Sequence, residues 1–133
     1  MSEIIYLTKE DILTANKIAV EEFGDGLQGF DDSCVEKRVV EPQTKYFGEE
    51  QYPGIFKKAS LYWYKITISH CFLDGNKRTG LIATMLFLEL NGYEIKADKK
   101  ELYLYCLLIA NHKTRPTLDE VEEWLKKNTA LKK

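Results

Sequence analysis

Most of the side chains that could carry out a chemical reaction lie in ten consecutive residues near the middle of the chain, His70-Cys-Phe-Leu-Asp-Gly-Asn-Lys-Arg-Thr79. Gly75 and Asn76 tolerate the backbone conformations of a tight turn, and such a turn can direct its amide N–H groups outward. The helix predicted to follow would present its unpaired N–H groups and the positive end of its dipole at the same place. The segment is therefore predicted to bind an anion.

Two basic residues in this segment indicate which anion it binds. Lys77 and Arg78 lie in the first turn of the predicted helix, where the helix dipole alone disfavours positive charge by a few tenths of a kcal/mol. A bound polyphosphate reverses the sign of that cost, because arginine can grip phosphate oxygens with two hydrogen bonds and lysine supplies a point charge. ATP or a similar nucleotide is therefore the predicted ligand.

Asp74 and His70 add the groups that a transfer reaction needs. A carboxylate such as that of Asp74 can hold a Mg²⁺ ion that bridges phosphate oxygens. A histidine such as His70 can accept a proton from an attacking hydroxyl near neutral pH. Together these residues predict phosphoryl or nucleotidyl transfer, in which positioning and charge neutralisation supply most of the catalysis.

Each of these residues also has a purely structural interpretation. Asp74 can cap the helix that begins near Asn76, and the two roles are compatible. Lys77 and Arg78 would elsewhere be read as a solvated pair, although the adjacent turn favours phosphate binding. Cys71 is interpreted as a small packing residue and not as a nucleophile, because adjacent side chains rarely point at one another.

The elements that must position this segment are predicted to be helical throughout, which gives an all-α fold: a compact bundle with a buried central helix. Residues 41–53 have a weak pattern that fits either a loop or a small hairpin, and we interpret them as a flap. The Lys-rich C-terminal end is predicted to be frayed. Capping residues and apolar periodicity predict helices from Thr8 to Gly24 before a glycine loop, from Asp31 or Asp32 to Pro42, from Pro53 to Ser69, from Arg78 to Asn91, after Asp98, and after Thr117.

The length and composition of the chain limit the number of domains and the classes of function that it can have. A chain of 133 residues is predicted to form a single domain, residues 1–133. Its 19 basic and 21 acidic residues give a net charge of −2, which argues against direct nucleic-acid or anionic-membrane binding. The three cysteines, Cys34, Cys71 and Cys106, are odd in number and widely spaced, so we expect reduced thiols in a cytoplasmic protein.

The motif resembles the signature of the Doc (death-on-curing) branch of the Fic superfamily, His-x-Phe-x-Asp-Gly/Ala-Asn-Lys-Arg, which is read here from His70 to Arg78. The resemblance implies a Fic fold in which the motif joins two central helices. It also implies ATP as substrate and Mg²⁺ as cofactor. The roles that it implies are His70 as base, Asp74 as metal ligand, and Gly75, Asn76, Lys77 and Arg78 as the nucleotide-binding residues, of which the last three act as catalytic phosphate clamps.

Three departures from the adenylyltransferase pattern of the wider superfamily separate the two activities. Cys71 replaces its proline, Lys77 its second glycine and Leu81 its last arginine. The resemblance therefore implies a toxin that phosphorylates a target protein, described for that branch as elongation factor Tu. It also implies inhibition in trans by a Phd-like antitoxin, because the 133 residues contain no Ser/Thr-x-x-x-Glu-Gly/Asn inhibitory string. AMP transfer and non-catalytic binding of nucleotide or antitoxin are the alternatives.

Overall fold

The computed structural model describes residues 3–22 and 27–133. These residues form six α-helices and two small antiparallel strand pairs. The predicted all-α class is confirmed. Phe23 and residues 24–26 of the predicted glycine loop lie outside the described residues. In the part of the chain described, no helix is both long and apolar enough to cross a membrane. The elements are α1 (Lys9–Glu22), α2 (Asp32–Val40), a 3₁₀ helix (Glu41–Gln43), β1 (Lys45–Tyr46), β2 (Glu49–Glu50), α3 (Ile55–Ile68), α4 (Asn76–Leu90), β3 (Tyr93–Ile95), α5 (Lys99–Ala110), α6 (Leu118–Asn128) and β4 (Thr129–Leu131).

Helices α1, α5 and α6 begin where their capping residues predicted, whereas α4 begins after Gly75 without the side-chain cap suggested for Asp74. Thr8 and Asp11 exchange hydrogen bonds at the start of α1: the Asp11 N–H donates to Thr8 Oγ1 at 3.1 Å and the Thr8 N–H donates to Asp11 Oδ2 at 2.8 Å. Thr117 and Glu120 form the same reciprocal pair before α6. Asp98 caps α5 through its side chain. These contacts satisfy amide N–H groups that the helices themselves cannot pair.

Helices α3 and α4 form the centre of the bundle. They pack against each other, and α6 packs on α3, α1 packs on α4, and α5 packs on both. Tyr62 and Trp63 of α3 are almost completely buried. As predicted, α4 lies centrally, but part of its apolar surface faces solvent: Met85 is 42% exposed and Leu90, at the end of the helix, is 39% exposed. The near-continuous apolar run of α4 therefore exceeds what its three helical neighbours cover.

The flap at 41–53 is a hairpin that is anchored by a buried lysine. Strands β1 and β2 pair with Lys45 opposite Glu50, so the hairpin is the correct one of the two predicted forms. Lys58 of α3 is fully buried, and its ammonium donates to the carbonyls of Pro42 and Tyr52 at 2.9 and 2.7 Å. It also pairs with Glu50 at 2.9 Å. These three bonds satisfy a charge whose burial would otherwise be costly, and they fix both ends of the flap to α3.

The prediction of a frayed C-terminal end is wrong for residues 129–131. They form β4, which pairs antiparallel with β3 so that Tyr93 faces Leu131 and Ile95 faces Thr129. The Lys132 N–H continues this pairing by donating to the Gly92 carbonyl at 2.8 Å. The contact joins segments more than thirty residues apart, which local composition does not reveal.

The expectation of three reduced thiols is also wrong. Cys34 and Cys71 form a disulfide between α2 and the segment that follows α3, whereas Cys106 is a buried free thiol. Cys71 is 2% exposed, so it does pack in the core, but it is also a covalent link. The pairing follows from a fold that brings residues 29–34 alongside residues 71–73, and the sequence separation of 37 gives no sign of it.

Candidate active site

The motif occupies an irregular connection between the two central helices. Helix α3 ends at Ile68 and α4 begins at Asn76. Two left-handed residues bound the connection: His70 has φ +53° and Gly75 has φ +78°. A left-handed backbone is unfavourable for a residue with a side chain, so the surroundings must hold His70 in place. The connection is thus a fixed turn and not an extension of either helix.

Residues 71–73 are held by the segment that precedes α2. The Asp31 N–H donates to the Cys71 carbonyl at 2.8 Å, and the Leu73 N–H donates to the Gly29 carbonyl at 3.0 Å. The side chain of Asp31, and not that of Asp32, caps α2 by accepting the Cys34 N–H at 3.1 Å. That hydrogen bond lowers the pKa of the Asp31 carboxyl. One short stretch therefore both starts α2 and supports the motif.

The Asn76 side chain forms hydrogen bonds with the backbone of its own turn. Its Oδ1 accepts the Phe72 N–H at 3.2 Å, and its Nδ2 donates to the Phe72 carbonyl at 3.0 Å. The side chain predicted to clamp phosphate is therefore engaged with the backbone four residues earlier. This reciprocal amide pair fixes Phe72, which is buried and packs beside Phe30 with ring centroids 6.4 Å apart.

The turn is also positioned from another helix, by a residue that was not among the predicted site residues. Asn16 of α1 is 6% exposed, and its Nδ2 donates to the Asp74 carbonyl at 2.9 Å and to Thr79 Oγ1 at 3.1 Å. The Thr79 hydroxyl in turn donates to the Gly75 carbonyl at 2.7 Å. The signal in the sequence was an amide within the apolar stripe of α1, between Ile12 and Ala19, because a polar group at a buried position needs a partner.

We expect Asn16→Ala to destabilise the fold by about 1–3 kcal/mol, because it leaves buried polar partners unpaired. It should also weaken nucleotide binding, since the turn loses its link to α1. Chemical denaturation and calorimetric titration with MgATP measure the two effects. Asn91→Ala is the matched control: Asn91 makes similar amide contacts, to Ile5 and Phe87, at the opposite end of α4. Equal losses of binding in both variants would contradict a specific role for Asn16.

Gly75 allows the close approach of α1 to the turn. A Cβ atom added at Gly75 would lie 3.3 Å from Val20 Cγ2 and 3.5 Å from Asn16 Nδ2, in addition to the strain of its left-handed backbone. The Gly75 N–H donates to Asp74 Oδ1 at 2.8 Å. This bond orients the exposed Asp74 carboxylate and leaves its second oxygen available to a ligand.

All six predicted site residues line one cavity of about 420 Å³. The first backbone N–H of α4 to bond within the helix is that of Thr79, which donates to the Gly75 carbonyl. The N–H groups of residues 76 and 77 therefore belong to the first turn of the helix, which leaves its leading amides without partners inside the helix, and they can donate hydrogen bonds to an anion. Thr67, Leu73 and Ala110 complete the lining, which otherwise consists of His70, Asp74, Gly75, Asn76, Lys77 and Arg78.

Lys77 and Arg78 lie between this cavity and a second one. The second cavity is an apolar groove of about 390 Å³ between α4 and α5, and both basic residues line it as well. The Arg78 guanidinium lies 5.9 Å from the centre of the Tyr103 ring, within the range of a cation–π contact. Positive charge is thus concentrated where the two cavities meet.

Comparisons with known proteins agree with the resemblance of the motif. The Fic/DOC family model matches residues 6–88, which include the whole site. A protein named Toxin Doc from Mycolicibacterium smegmatis is 38% identical over 93 residues, which is 70% of this chain and 69% of that protein. Protein kinase doc of Escherichia phage P1 is 26% identical over 97 residues, 73% of this chain and 75% of that protein. The chain therefore belongs to the Fic/DOC family, within its Doc branch.

Proposed function

We propose that this protein is a Doc-type toxin that transfers the terminal phosphate of ATP to a hydroxyl group of a target protein. At the coarser level of its family, it is an enzyme that transfers a phosphoryl or AMP group from a nucleotide. The observation that carries the proposal is that one cavity is lined by His70, by the first turn of α4 and by the side chains of Lys77 and Arg78. The name of the phage P1 relative, a protein kinase, supports the choice of phosphate.

The proposed reaction uses each of these groups once. The acceptor hydroxyl oxygen bonds to the terminal phosphorus, the bond from that phosphorus to the bridging oxygen breaks, and ADP leaves with that oxygen. The hydroxyl proton passes to the imidazole of His70. Lys77, Arg78 and the N–H groups at the start of α4 neutralise the phosphate oxygens as charge shifts between them. His70, whose backbone is left-handed, lines the same cavity as the phosphate-binding groups.

The chain offers Mg²⁺ a partial site of the kind this ion commonly uses in nucleotide complexes. Among residues 3–22 and 27–133, no three or more His, Cys, Asp or Glu side chains gather into a metal site. Mg²⁺ bound with a nucleotide usually takes one or two carboxylates, with phosphates and water as its other ligands. Asp74 fits that pattern, because it lines the cavity and only one of its carboxylate oxygens accepts the Gly75 N–H. The ion would neutralise charge on the phosphates.

Two sequence differences favour phosphate over AMP transfer. In the adenylyltransferase pattern, a glycine stands at the position of Lys77 and an arginine at the position of Leu81. Lys77 fills space at the phosphate site that a bare backbone would leave open, and Leu81 removes a phosphate clamp and lines the apolar groove instead. A nucleotide held in the adenylyltransferase pose would therefore lose contacts, which supports a pose that presents the terminal phosphate.

ATP labelled separately at its terminal and alpha phosphates distinguishes the two transfers. We expect label from the terminal phosphate on a target protein when the purified chain is incubated with a cell extract, and mass spectrometry should identify the modified hydroxyl. The His70→Ala variant is the control, since label that persists in it comes from another enzyme. Transfer of the alpha label would instead establish an adenylyltransferase, and absence of both labels would refute the proposal.

The proposed setting is that of a toxin–antitoxin system in the cytoplasm. Elongation factor Tu is the proposed target, and its modification would stop translation. A Phd-like antitoxin is the proposed inhibitor, acting in trans through a tail that folds on binding. The apolar groove beside the site supports such an inhibitor, because an amphipathic acidic segment would match its floor and its mainly basic rim. The floor includes Met85 and Tyr103, and the rim carries Lys77, Arg78 and Lys99 against Glu22.

A further inference from the structure

We propose that Cys34 and Cys71 form a thiol–disulfide exchange site through which a small thiol reductant, such as glutathione, controls the backbone that holds His70. The inference uses the proposed function only for its activity readout, because the covalent switch itself concerns the disulfide and the turn. Cys71 directly follows His70 in the chain, and the disulfide joins it to the first turn of α2.

The disulfide adds a covalent link to two backbone hydrogen bonds that already join the motif to residues 29–31. These are the backbone hydrogen bonds of Asp31 to the Cys71 carbonyl and of Leu73 to the Gly29 carbonyl. Cys71 is therefore held through both its carbonyl and its sulfur. Because the left-handed conformation of His70 is intrinsically unfavourable, it depends on these ties to the residue that follows.

The two sulfurs differ in access and surroundings. Cys34 is half-buried, whereas Cys71 is 2% exposed, so an external thiolate reaches Cys34 Sγ first. Arg38 Nη1 lies 4.0 Å from Cys34 Sγ, and a guanidinium at this distance stabilises a thiolate there. The same guanidinium contacts the Ser69 hydroxyl and the Glu41 carboxylate, contacts that do not require the disulfide. Helix α2 thus keeps a polar link to the end of α3 in either redox state.

Reduction of the Cys34–Cys71 disulfide consumes two molecules of a monothiol. The first thiolate attacks Cys34 Sγ, the bond between the protein sulfurs breaks, and Cys71 leaves as a thiolate that takes up a proton. The second thiolate attacks the external sulfur of the mixed disulfide and releases the Cys34 thiolate next to Arg38. Two electrons pass to the protein, and the two reductant molecules leave as their own disulfide. In the disulfide-bonded form Cys34 Sγ lies 3.8 Å from the Ser69 carbonyl oxygen, so the thiol released at this position can donate to that oxygen.

The oxidised form is the one in which the turn and its cavity are complete. After reduction, Cys71 keeps its hydrogen bond from Asp31 and its packing but loses its covalent link to α2, so His70 can relax from its left-handed conformation. The reduced protein is therefore the less active state, with its fold retained because the core around α3 and α4 does not depend on the link. Conversely, oxidation completes the site.

Hydrogen–deuterium exchange tests this coupling without reference to catalysis. The wild-type protein is equilibrated in glutathione buffers of graded oxidation, and its disulfide fraction is measured by thiol trapping and mass spectrometry. We expect amide exchange in residues 70–76 to rise about 10-fold or more as the disulfide is reduced, with exchange in α3 unchanged. Cys34→Ser should show the fast exchange in every buffer, and transfer activity should fall in parallel.

Cys106→Ala is the matched control, because it removes the third cysteine and should keep the full redox response. Burial raises the pKa of the Cys106 thiol to about 11, so this thiol should also be trapped slowly in the native protein. Rapid trapping of Cys34 and Cys71 in oxidised glutathione would overturn the proposal. Amide exchange in residues 70–76 that is the same in the oxidised and reduced protein would also overturn it. A redox-dependent exchange rate without any transfer activity would support the switch and refute the proposed function.

Discussion

His70→Ala should lower kcat for transfer by about 100- to 10,000-fold, the usual contribution of a positioned general base. Binding of MgATP should change little, because the phosphate-binding groups of the cavity lie at the start of α4 and are separate from the imidazole. Single-turnover transfer assays measure the first effect, and calorimetric titration measures the second. A loss of rate without a loss of affinity is the signature of a group that acts only in the transition state.

His112→Ala is the control for this experiment, since His112 is the other histidine of the chain and lies exposed after α5. It should retain full activity. Cellular toxicity offers an independent readout, because a catalytic toxin must lose it together with His70. Toxicity that survives His70→Ala would favour a non-catalytic protein that acts by binding.

Arg78→Gln should weaken MgATP binding by about 10- to 100-fold. A hydrogen bond to a charged group contributes roughly 1.5–3 kcal/mol, and each 1.4 kcal/mol corresponds to a factor of ten in affinity. Arg78 lies where the two cavities meet, so its side chain can reach phosphate while stacking on Tyr103. Titration in the His70→Ala background measures affinity without turnover.

Arg78→Lys separates charge from geometry at this position. Lysine keeps the positive charge but lacks the planar pair of donors, so an intermediate affinity indicates two-pronged recognition of phosphate. The stability of both variants is measured in parallel by chemical denaturation. Wild-type affinity in Arg78→Gln would show that Arg78 does not contact the nucleotide, and the phosphate clamp would then have to be Lys77 with the α4 backbone.

The parts of the fold that sequence predicted are those set by neighbouring residues. The reciprocal pairs Thr8–Asp11 and Thr117–Glu120 span three residues, and Asp98 caps its own helix, so each start site is written locally. The motif likewise spans nine residues, and this is why all its predicted side chains line one cavity.

The features that sequence could not predict are contacts between distant segments. The Cys34–Cys71 disulfide, the Asn16 contact to the Asp74 carbonyl and the β3–β4 pair each depend on how whole elements pack. The role of the Asn76 amide was obscured for a different reason. An amide can serve a ligand or its own backbone equally well, and only the geometry shows that it holds Phe72.

An asparagine at each end of α4 forms hydrogen bonds with the backbone of another segment, and this restricts which changes in the length of the helix the fold can tolerate. Asn76 grips the backbone of Phe72 at one end, and Asn91 grips that of Ile5 just beyond the other. Each residue turns an α-helix by about 100°. Inserting or deleting one residue between Asn76 and Asn91 would therefore rotate one of the two asparagine side chains away from its backbone partner. Changes in the length of α4 should therefore be rare among related sequences.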